Sequence, residues 1–407
     1  MKRVPHLNVP VVIGVTLLVL VGGLIALFAR TTSGGSYPEA ETIGADARNF
    51  QELSDRFAAL AQKKGAVYAY AVLGRAQLPP NTDLHLLGHT VGDELYKQKG
   101  VDGIADCTQD FRNACSHAIV IGTLNEYGGT KALSLINDAC RKAPGGSGAY
   151  TMCYHGLGHG VFAFYGYDLA KTVDFCRKTG TAQYHNDEYV QCVGGAIMEL
   201  MGGGGHDRNL WLKAREKYYD PKDPLAPCST SVIPSDAKGL CYVYITPHLF
   251  EAAGANLDIP KPEHFAKAFT YCDRLSKDTP ELRQACFGGI GKEFPVLAMM
   301  RDIRSIADAT DQQLNQMREW CALAPHKEAY DACEQSIVAS LFWGGENDSK
   351  AAIRFCGSAD SAERPACFQA LFEEASHYVA PKSNPAAAFC AQVPGEYQSA
   401  CRTKLSL

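Results

Sequence analysis

The 407-residue sequence lacks any long run of lysine or arginine, and acidic side chains outnumber basic ones by 44 to 39. The net charge of −5 argues against a nucleic-acid-binding protein, which concentrates positive charge on one surface. The metalloprotease motif His-Glu-x-x-His, the hydrolase motif Gly-x-Ser-x-Gly and the haem-attachment motif Cys-x-x-Cys-His are also missing. A Gly-x-Gly-x-Gly sequence at 156–160 lacks the preceding strand that a dinucleotide site requires. None of these chemistries is therefore indicated.

The segment from Val11 to Ala29 contains no charged side chain over 19 residues, and Lys2 and Arg3 precede it. This length suits a membrane-crossing helix and exceeds the apolar core of an ordinary signal peptide. Basic residues before the span place the amino terminus in the cytoplasm. The sequence predicts a cytoplasmic stub and transmembrane signal anchor at 1–30, a linker at 31–44 and an extracytoplasmic domain at 45–407. This domain would lie at the cell surface or in the periplasm, whereas cleavage of the anchor stays open.

The 16 cysteines form eight short-range pairs along the chain, with partners 8 to 16 positions apart. Their second members recur every 34 to 49 residues, a period typical of helical-hairpin arrays. Because an oxidising compartment favours disulfides, we expect nearest-neighbour bonds. The expected bonds join Cys107 to Cys115, Cys140 to Cys153, Cys176 to Cys192, Cys228 to Cys241, Cys272 to Cys286, Cys321 to Cys333, Cys356 to Cys367 and Cys390 to Cys401.

The sequence around each pair predicts helices. The first cysteine ends a helical pattern, as at 131–140, and the second begins another, as at 367–375. Aromatic-glycine turns such as Tyr127-Gly128 and Tyr165-Gly166 follow, where glycine can end a helix in the left-handed conformation. These features predict an all-α fold, a disulfide-stapled array of helical hairpins that resembles an α-solenoid. The proline-containing segment 208–227 is expected to be an inserted loop.

Segments such as 165–176, with glycine, then alanine and leucine, then cysteine, resemble the cysteine-rich branch of Sel1-like repeats, which are relatives of tetratricopeptide repeats. The resemblance covers roughly residues 100–407 and concerns architecture. It implies a stapled superhelix and a role as a protein-binding scaffold, and it transfers no catalytic residue.

Five of the 12 histidines gather in the His-rich part of the chain, residues 81–176. His85 and His89 share the pattern His-x-Leu-Gly-His-x-Val with His155 and His159, and His117 lies between the two segments. Histidines at i and i+4 project from one helix face, so two imidazoles of each pair can share a metal ion. A tight superhelix would bring both pairs and His117 around one cavity. Glycines beside the histidines, such as Gly156 and Gly158, indicate close approach by a packed helix or a ligand.

These five histidines predict a transition-metal site for zinc, copper or iron, because imidazole suits each of these metals, and haem is a further candidate. Nearby side chains are candidate partners of the ion: Asp93, Glu94, Glu126 and Tyr165. A line of polar residues seven places after cysteines either extends the site as a substrate groove or forms a solvated helix face: Glu199, His248, Glu293 and Glu374. Structural hydrogen bonding by the histidines is the alternative to metal binding.

Three functions follow from these features. The first is a membrane-anchored extracytoplasmic metalloprotein, with catalysis left open and either an oxidoreductase or a metal-dependent hydrolase compatible. The second is a scaffold whose concave face binds a secreted or envelope protein or peptide without catalysis. The third is metal storage or delivery at the cell surface. The membrane is the expected partner of the amino-terminal helix in each case.

Overall fold

The computed structural model describes residues 36–143, 146–202, 208–255, 260–343, 348–379 and 382–407. The predicted membrane span at 11–29 lies outside the described residues. Within these ranges the fold is all-α with no strand, as the sequence predicts. None of the helices there combines the length and the apolarity that a membrane crossing requires.

The described residues form twenty α-helices joined by short turns and 3-10 segments. Their bounds are α1 Glu39–Thr42, α2 Phe50–Lys64, α3 Ala66–Leu73, α4 Leu84–Lys99, α5 Asp110–Tyr127, α6 Gly129–Cys140, α7 Gly146–Phe164, α8 Leu169–Cys176, α9 Asp187–Gly202, α10 Arg208–Tyr218, α11 Lys238–Tyr244, α12 Thr246–Ala253, α13 Pro262–Cys272, α14 Pro280–Ala298, α15 Asp311–Cys321, α16 Lys327–Trp343, α17 Lys350–Gly357, α18 Arg364–Tyr378, α19 Asn384–Gln392 and α20 Gly395–Lys404.

Two kinds of helix alternate along the chain. Helices such as α6 bury one apolar face, on which Ala132, Leu133 and Ile136 lie, and leave the other face to solvent. Helices such as α5 bury consecutive residues, including Ala118 and Ile119, and are therefore enclosed by neighbours on several sides. The first kind forms an outer layer and the second an inner layer of helical hairpins.

All eight predicted disulfides are confirmed, and no cysteine is free. In most of the pairs, the first cysteine ends an outer helix and the second lies in the first turns of the next inner helix, as with Cys140 of α6 and Cys153 of α7. The bond therefore fixes the angle between consecutive hairpins. In the loop-closure model, a bridge over this span removes about 3 kcal/mol of unfolded-state entropy.

Glycines let the inner helices approach closely. A Cβ added at Gly158 in α7 would lie 2.0 Å from the carbonyl oxygen of Cys192 in α9, and one at Gly195 would lie 1.9 Å from the carbonyl oxygen of His155. The predicted turn glycines adopt positive φ, 68° at Gly128 and 64° at Gly166. Close approach by packed helices therefore explains the glycines beside the histidines.

The helical array closes on itself. Helix α18 packs against α7, where the Tyr378 ring fills the space beside Gly148. At the other end of the array, Arg304 donates hydrogen bonds to the carbonyl oxygens of Leu73 at 3.0 Å and Ala76 at 2.7 Å. Helix α18, near the end of the chain, therefore lies beside α7, so inner helices far apart in sequence meet.

The expectation of a loop throughout 208–227 is wrong for its first half, which forms α10. Trp211 of this helix donates from Nε1 to the carbonyl oxygen of Glu199 at 3.0 Å. Arg215 donates to the carbonyl oxygen of Met201 at 2.6 Å. These bonds use carbonyl groups near the end of α9, so α10 caps the inner helix that precedes it.

Candidate metal centre

The five predicted histidines lie on three inner helices packed side by side. Helix α4 begins at the N-cap Asp83, whose side chain accepts a hydrogen bond from the backbone of Leu86, and presents His85 and His89 from one face. Helix α5 supplies His117. Helix α7 supplies the other pair, and all of these residues belong to one cluster of facing imidazoles.

His117 occupies the middle of this five-histidine cluster. Its ring centre lies 5.3 Å from that of His85, 5.5 Å from that of His89, and 5.7 Å from those of both His155 and His159. The two intrahelical pairs are 4.7 Å and 5.1 Å apart, and His85 lies 6.4 Å from His159 across the cluster. The tight superhelix therefore brings all five predicted residues to one place.

Close packing of α7 on α5 places His117 in this position. A Cβ added at Gly156 would lie 2.6 Å from the Cα and 2.4 Å from the ring Cδ2 of His117. The histidine therefore uses the space that a side chain at position 156 would otherwise fill. This is why glycine next to His155 is needed for the cluster to form.

Several nitrogens of the cluster are buried without a partner. Both ring nitrogens of His117 lack a hydrogen bond, as does Nε2 of His159, and these residues are 1% and 5% exposed. The other nitrogen of His159, Nδ1, faces the Glu199 carboxylate of α9 at 3.1 Å. A buried nitrogen without a partner costs about 1–3 kcal/mol, so packing alone leaves this arrangement unexplained.

His85, like His159, has one ring nitrogen next to an oxygen atom and the other directed into the cluster. Its Nδ1 donates to the carbonyl oxygen of Phe111 at 2.7 Å, and its Nε2 lies 3.1 Å from Nε2 of His89. Phe111, Arg112 and Asn113 have φ of 55°, 57° and 63°, a left-handed run that costs roughly 1–2 kcal/mol per residue. The strained turn holds the carbonyl group that orients His85.

Three imidazole nitrogens converge on one point. The ligand atoms of His85, His117 and His159 all lie within 4.8 Å of one another, a group that could hold a metal ion. In two of these residues the opposite nitrogen is held by an oxygen acceptor, as is usual for metal-binding histidines. His89 contacts His85, and Nε2 of His155 lies 3.3 Å from the sulfur of Met198.

Burial holds three of the imidazoles, those of His85, His117 and His155, in their neutral form. Desolvation lowers the pKa of His85 to about 4, and the hydrogen bond that His85 donates to the Phe111 carbonyl oxygen offsets only part of this effect. Desolvation, reinforced by repulsion among neighbouring imidazoles, also lowers the pKa of His117 and His155 well below 6.5. Neutral imidazole is the form that binds metal ions, so these rings need lose no proton to bind one at neutral pH.

The nearby candidate partners behave differently. Glu94 pairs with Lys97 at 2.6 Å, and Glu126 accepts a hydrogen bond from Tyr96 at 2.6 Å. The Tyr165 ring packs against aromatic neighbours. Asp93 lies one turn beyond His89 on α4, and desolvation raises its pKa to about 6.

The four polar residues that follow cysteines by seven places also lie in different surroundings. Glu199 hydrogen-bonds to the cluster, and Glu293 pairs with its neighbour Lys292 on α14. Burial alone raises the pKa of Glu374 to about 7. His248 instead stacks on Tyr219 at 3.7 Å. Of these four polar residues, Glu199 therefore is the one with a direct contact to a histidine of the cluster.

Several residues around the cluster carry no signal in the sequence. Met198 contacts His155, and the Tyr244 ring lies 4.8 Å from the same imidazole. Arg112 adjoins the carbonyl group that holds His85. Their positions depend on helix packing rather than on a repeated spacing.

Comparison of the chain with protein-family models, curated proteins and solved structures finds no match.

Proposed function

We propose that this chain is a membrane-anchored extracytoplasmic metalloprotein whose five-histidine cluster binds a transition-metal ion. The observation that carries the proposal is the convergence of the His85, His117 and His159 nitrogens within 4.8 Å, beside partners that fix two of the rings. His89 and His155 stand next to these three and can complete the coordination. The ion would satisfy the buried nitrogens that lack hydrogen bonds.

The spacing of the rings suits a single shared ion. With a metal–nitrogen distance of about 2.1 Å, imidazole centres lie roughly 4.5 Å apart when adjacent and roughly 6.3 Å apart when opposite. The contacting pairs of the cluster fall between 4.7 Å and 6.4 Å. Structural hydrogen bonding between imidazoles accounts for the contact of His85 with His89, but it leaves both nitrogens of His117 unused.

The donor set favours metals that prefer nitrogen. Imidazole suits zinc, copper and iron, whereas no free thiolate is present. Since His117 lies within 5.7 Å of each of the other four rings, the crowding favours an ion over a haem plane. A bound ion of this class supplies Lewis acidity or redox chemistry, and Glu199 would orient His159.

The proposed compartment is supported by the cysteines and the amino-terminal segment together. Eight disulfides and no free thiol are typical of proteins that fold in oxidising surroundings. The uncharged segment 11–29 with its basic flank supports anchoring in a membrane with the helical array on the far side.

Elemental analysis of the detergent-purified full-length protein tests metal binding. We expect about one equivalent of zinc, copper or iron in the wild type. The single variants H117Q and H159Q should lose most of it, while H377Q, which changes an exposed histidine on α18, should retain it. Circular dichroism and disulfide content would establish that each variant is folded.

Absence of metal from the wild type, even after incubation with each ion, would refute the proposal. The scaffold function would then be the better account, because the disulfide-stapled helical array is what remains of the proposal. Equal metal content in H117Q, H159Q and H377Q would place the ion elsewhere.

A further inference from the structure

Exposed apolar side chains lie on the surface where the described chain begins. Of the described residues, Met300 and Val67 are the most exposed large hydrophobic side chains, at 59% and 51%. Single exposed apolar residues are common on protein surfaces, but these two adjoin one segment of the chain. Val67 lies in the first turn of α3, and the carbonyl oxygen of Met300 accepts a hydrogen bond from the backbone of Asn81, shortly before α4.

The first described residues pack against this same segment. The Tyr37 ring lies 5.2 Å from the Tyr68 ring, and the Arg75 guanidinium stacks over Tyr37 at 4.7 Å. The backbone of Gln77 donates a hydrogen bond to the carbonyl oxygen of Ala40 at 2.9 Å. The start of the described chain therefore lies along the connection between the two exposed apolar residues.

A partly open cavity of about 170 Å³ adds apolar surface here. Its apolar lining consists of Leu78, Pro79, Pro80, Leu84, Met299 and Met300. Asp302 and Arg304 also line the cavity, but they pair with each other at 2.7 Å and so add no net charge to its wall. We call the surface formed by residues 37–41, 63–81 and 299–304 the amino-terminal face.

Aromatic and basic side chains border the apolar part of this face. Lys63 and Arg75 are exposed, and the Lys64 ammonium lies 4.9 Å from the Tyr68 ring centre and pairs with Glu39. Tyrosine, lysine and arginine favour the boundary between lipid headgroups and acyl chains, because each joins an apolar body to a polar end. An apolar centre within such a border matches the layered chemistry of a bilayer surface.

The length of the preceding chain limits how far this face can lie from the membrane. The predicted span ends at Ala29, eight residues before Tyr37. Eight residues reach at most about 29 Å even when fully extended. A folded array of this length is roughly 50 Å across, so the amino-terminal face is the part of the domain that the tether holds beside the bilayer.

We propose that the amino-terminal face docks on the outer surface of the membrane that the anchor spans. Val67 and Met300 insert at the boundary between headgroups and acyl chains, while Lys63 and Arg75 lie at the lipid phosphates. The inference rests on the proposed membrane anchor and is independent of the metal centre. Leu84 lines the cavity and begins α4, so docking holds the amino-terminal end of this histidine-bearing helix toward the bilayer.

Tryptophan quenching by brominated lipid tests the docking. The full-length wild type, V67W and M300W are reconstituted into phosphatidylcholine vesicles with or without bromine on the upper acyl chains. A side chain inserted about 5–10 Å into the headgroup boundary comes within reach of the bromine atoms. After subtraction of the wild-type signal, we expect the added tryptophan of both variants to lose most of its emission in brominated vesicles. The matched control is F164W, because Phe164 is also exposed, at 43%, but ends α7, and it should show no quenching beyond that of the wild type.

Flotation of the vesicles in a density gradient separates failure of the anchor from failure of the docking. Protein that does not float with the vesicles would overturn both. Protein that floats but shows no quenching of V67W or of M300W, or equal quenching of F164W, would overturn the docking alone. A blue shift of V67W emission in detergent that grows with protein concentration would place a second copy of the chain on this face and also contradict the proposal. Both substituted positions are exposed, and circular dichroism would establish that each variant is folded.

Discussion

Substituting alanine for Gly158 tests the close contact between α7 and α9. An added Cβ would lie 2.0 Å from the carbonyl oxygen of Cys192 and 2.9 Å from the backbone nitrogen of Ala196. Since non-bonded atoms prefer separations of about 3.5 Å, the two helices must move apart by roughly 1 to 1.5 Å. Both clashing groups are backbone atoms, so a side-chain rotation cannot relieve the contact.

The energetic outcome is a balance of two effects. Overpacking of this kind costs typically about 1–3 kcal/mol, and this clash belongs at the upper end of that range. Replacing glycine by alanine inside a helix returns about 1 kcal/mol through helix propensity. We therefore expect G158A to lower the free energy of unfolding by about 2 kcal/mol. The same displacement would lengthen the 3.1 Å contact between His159 and Glu199 and weaken metal binding.

The matched control is G239A in α11, where no atom lies within 4 Å of an added Cβ. Only the propensity effect applies there, so G239A should be unchanged or more stable by up to about 1 kcal/mol. Guanidinium unfolding of the full-length protein with intact disulfides, followed by circular dichroism, measures both changes. If G158A were as stable as G239A, the proposed packing of α7 on α9 would be refuted.

Three further predictions concern the stability of the array. Replacing Cys176 and Cys192 by alanine, a pair 16 residues apart, should lower the free energy of unfolding in urea by about 3 kcal/mol, whereas no loss would mean that the bond does not constrain the unfolded chain. R283A should destabilise by about 2 kcal/mol, because Arg283 is 3% exposed and lies 3.0 Å from both Asp273 and Glu328. K327A, which breaks an exposed ion pair with Asp331, should have a much smaller effect on stability. A similar effect of these two variants in thermal and chemical unfolding would contradict this ranking. Burial raises the pKa of Glu374 from 4.5 to about 7 in the folded protein, so the unfolded chain releases this proton at lower pH than the folded one. The wild type should therefore lose about 2 kcal/mol of stability relative to E374Q as the pH rises from 4.5 to 7. Unfolding curves measured across this pH range would show the difference, and a pH-independent difference between the two proteins would exclude it.

The spacing of the cysteines was sufficient to predict the architecture. Partners 8 to 16 residues apart can meet when a short turn separates two helices, and the repeated period identifies the hairpin as the unit. The helix α10 was missed because the prolines at 221, 224 and 227 suggested a loop for the whole segment. Those prolines follow the helix, where they do not interrupt its hydrogen bonds.

The candidate site was predictable only where its residues repeat. His85 and His155 are identifiable because each begins the shared motif His-x-Leu-Gly-His-x-Val, and the glycines within these segments indicate close packing. Arg112 and Ser340 meet over 228 residues of sequence, since the superhelix closes and a left-handed turn redirects the arginine. No local pattern encodes that contact, so it emerges only from the folded chain.

X-ray absorption spectroscopy at the edge of the bound metal tests the central claim most directly. If the five-histidine cluster holds the ion, nitrogen atoms of imidazole should scatter at about 2.0–2.1 Å, and no sulfur should be found at about 2.3 Å. The H159Q protein should lose this imidazole signature while H377Q retains it. Sulfur at the metal, or oxygen alone without imidazole, would contradict a histidine centre and separate the bound ion from this cluster.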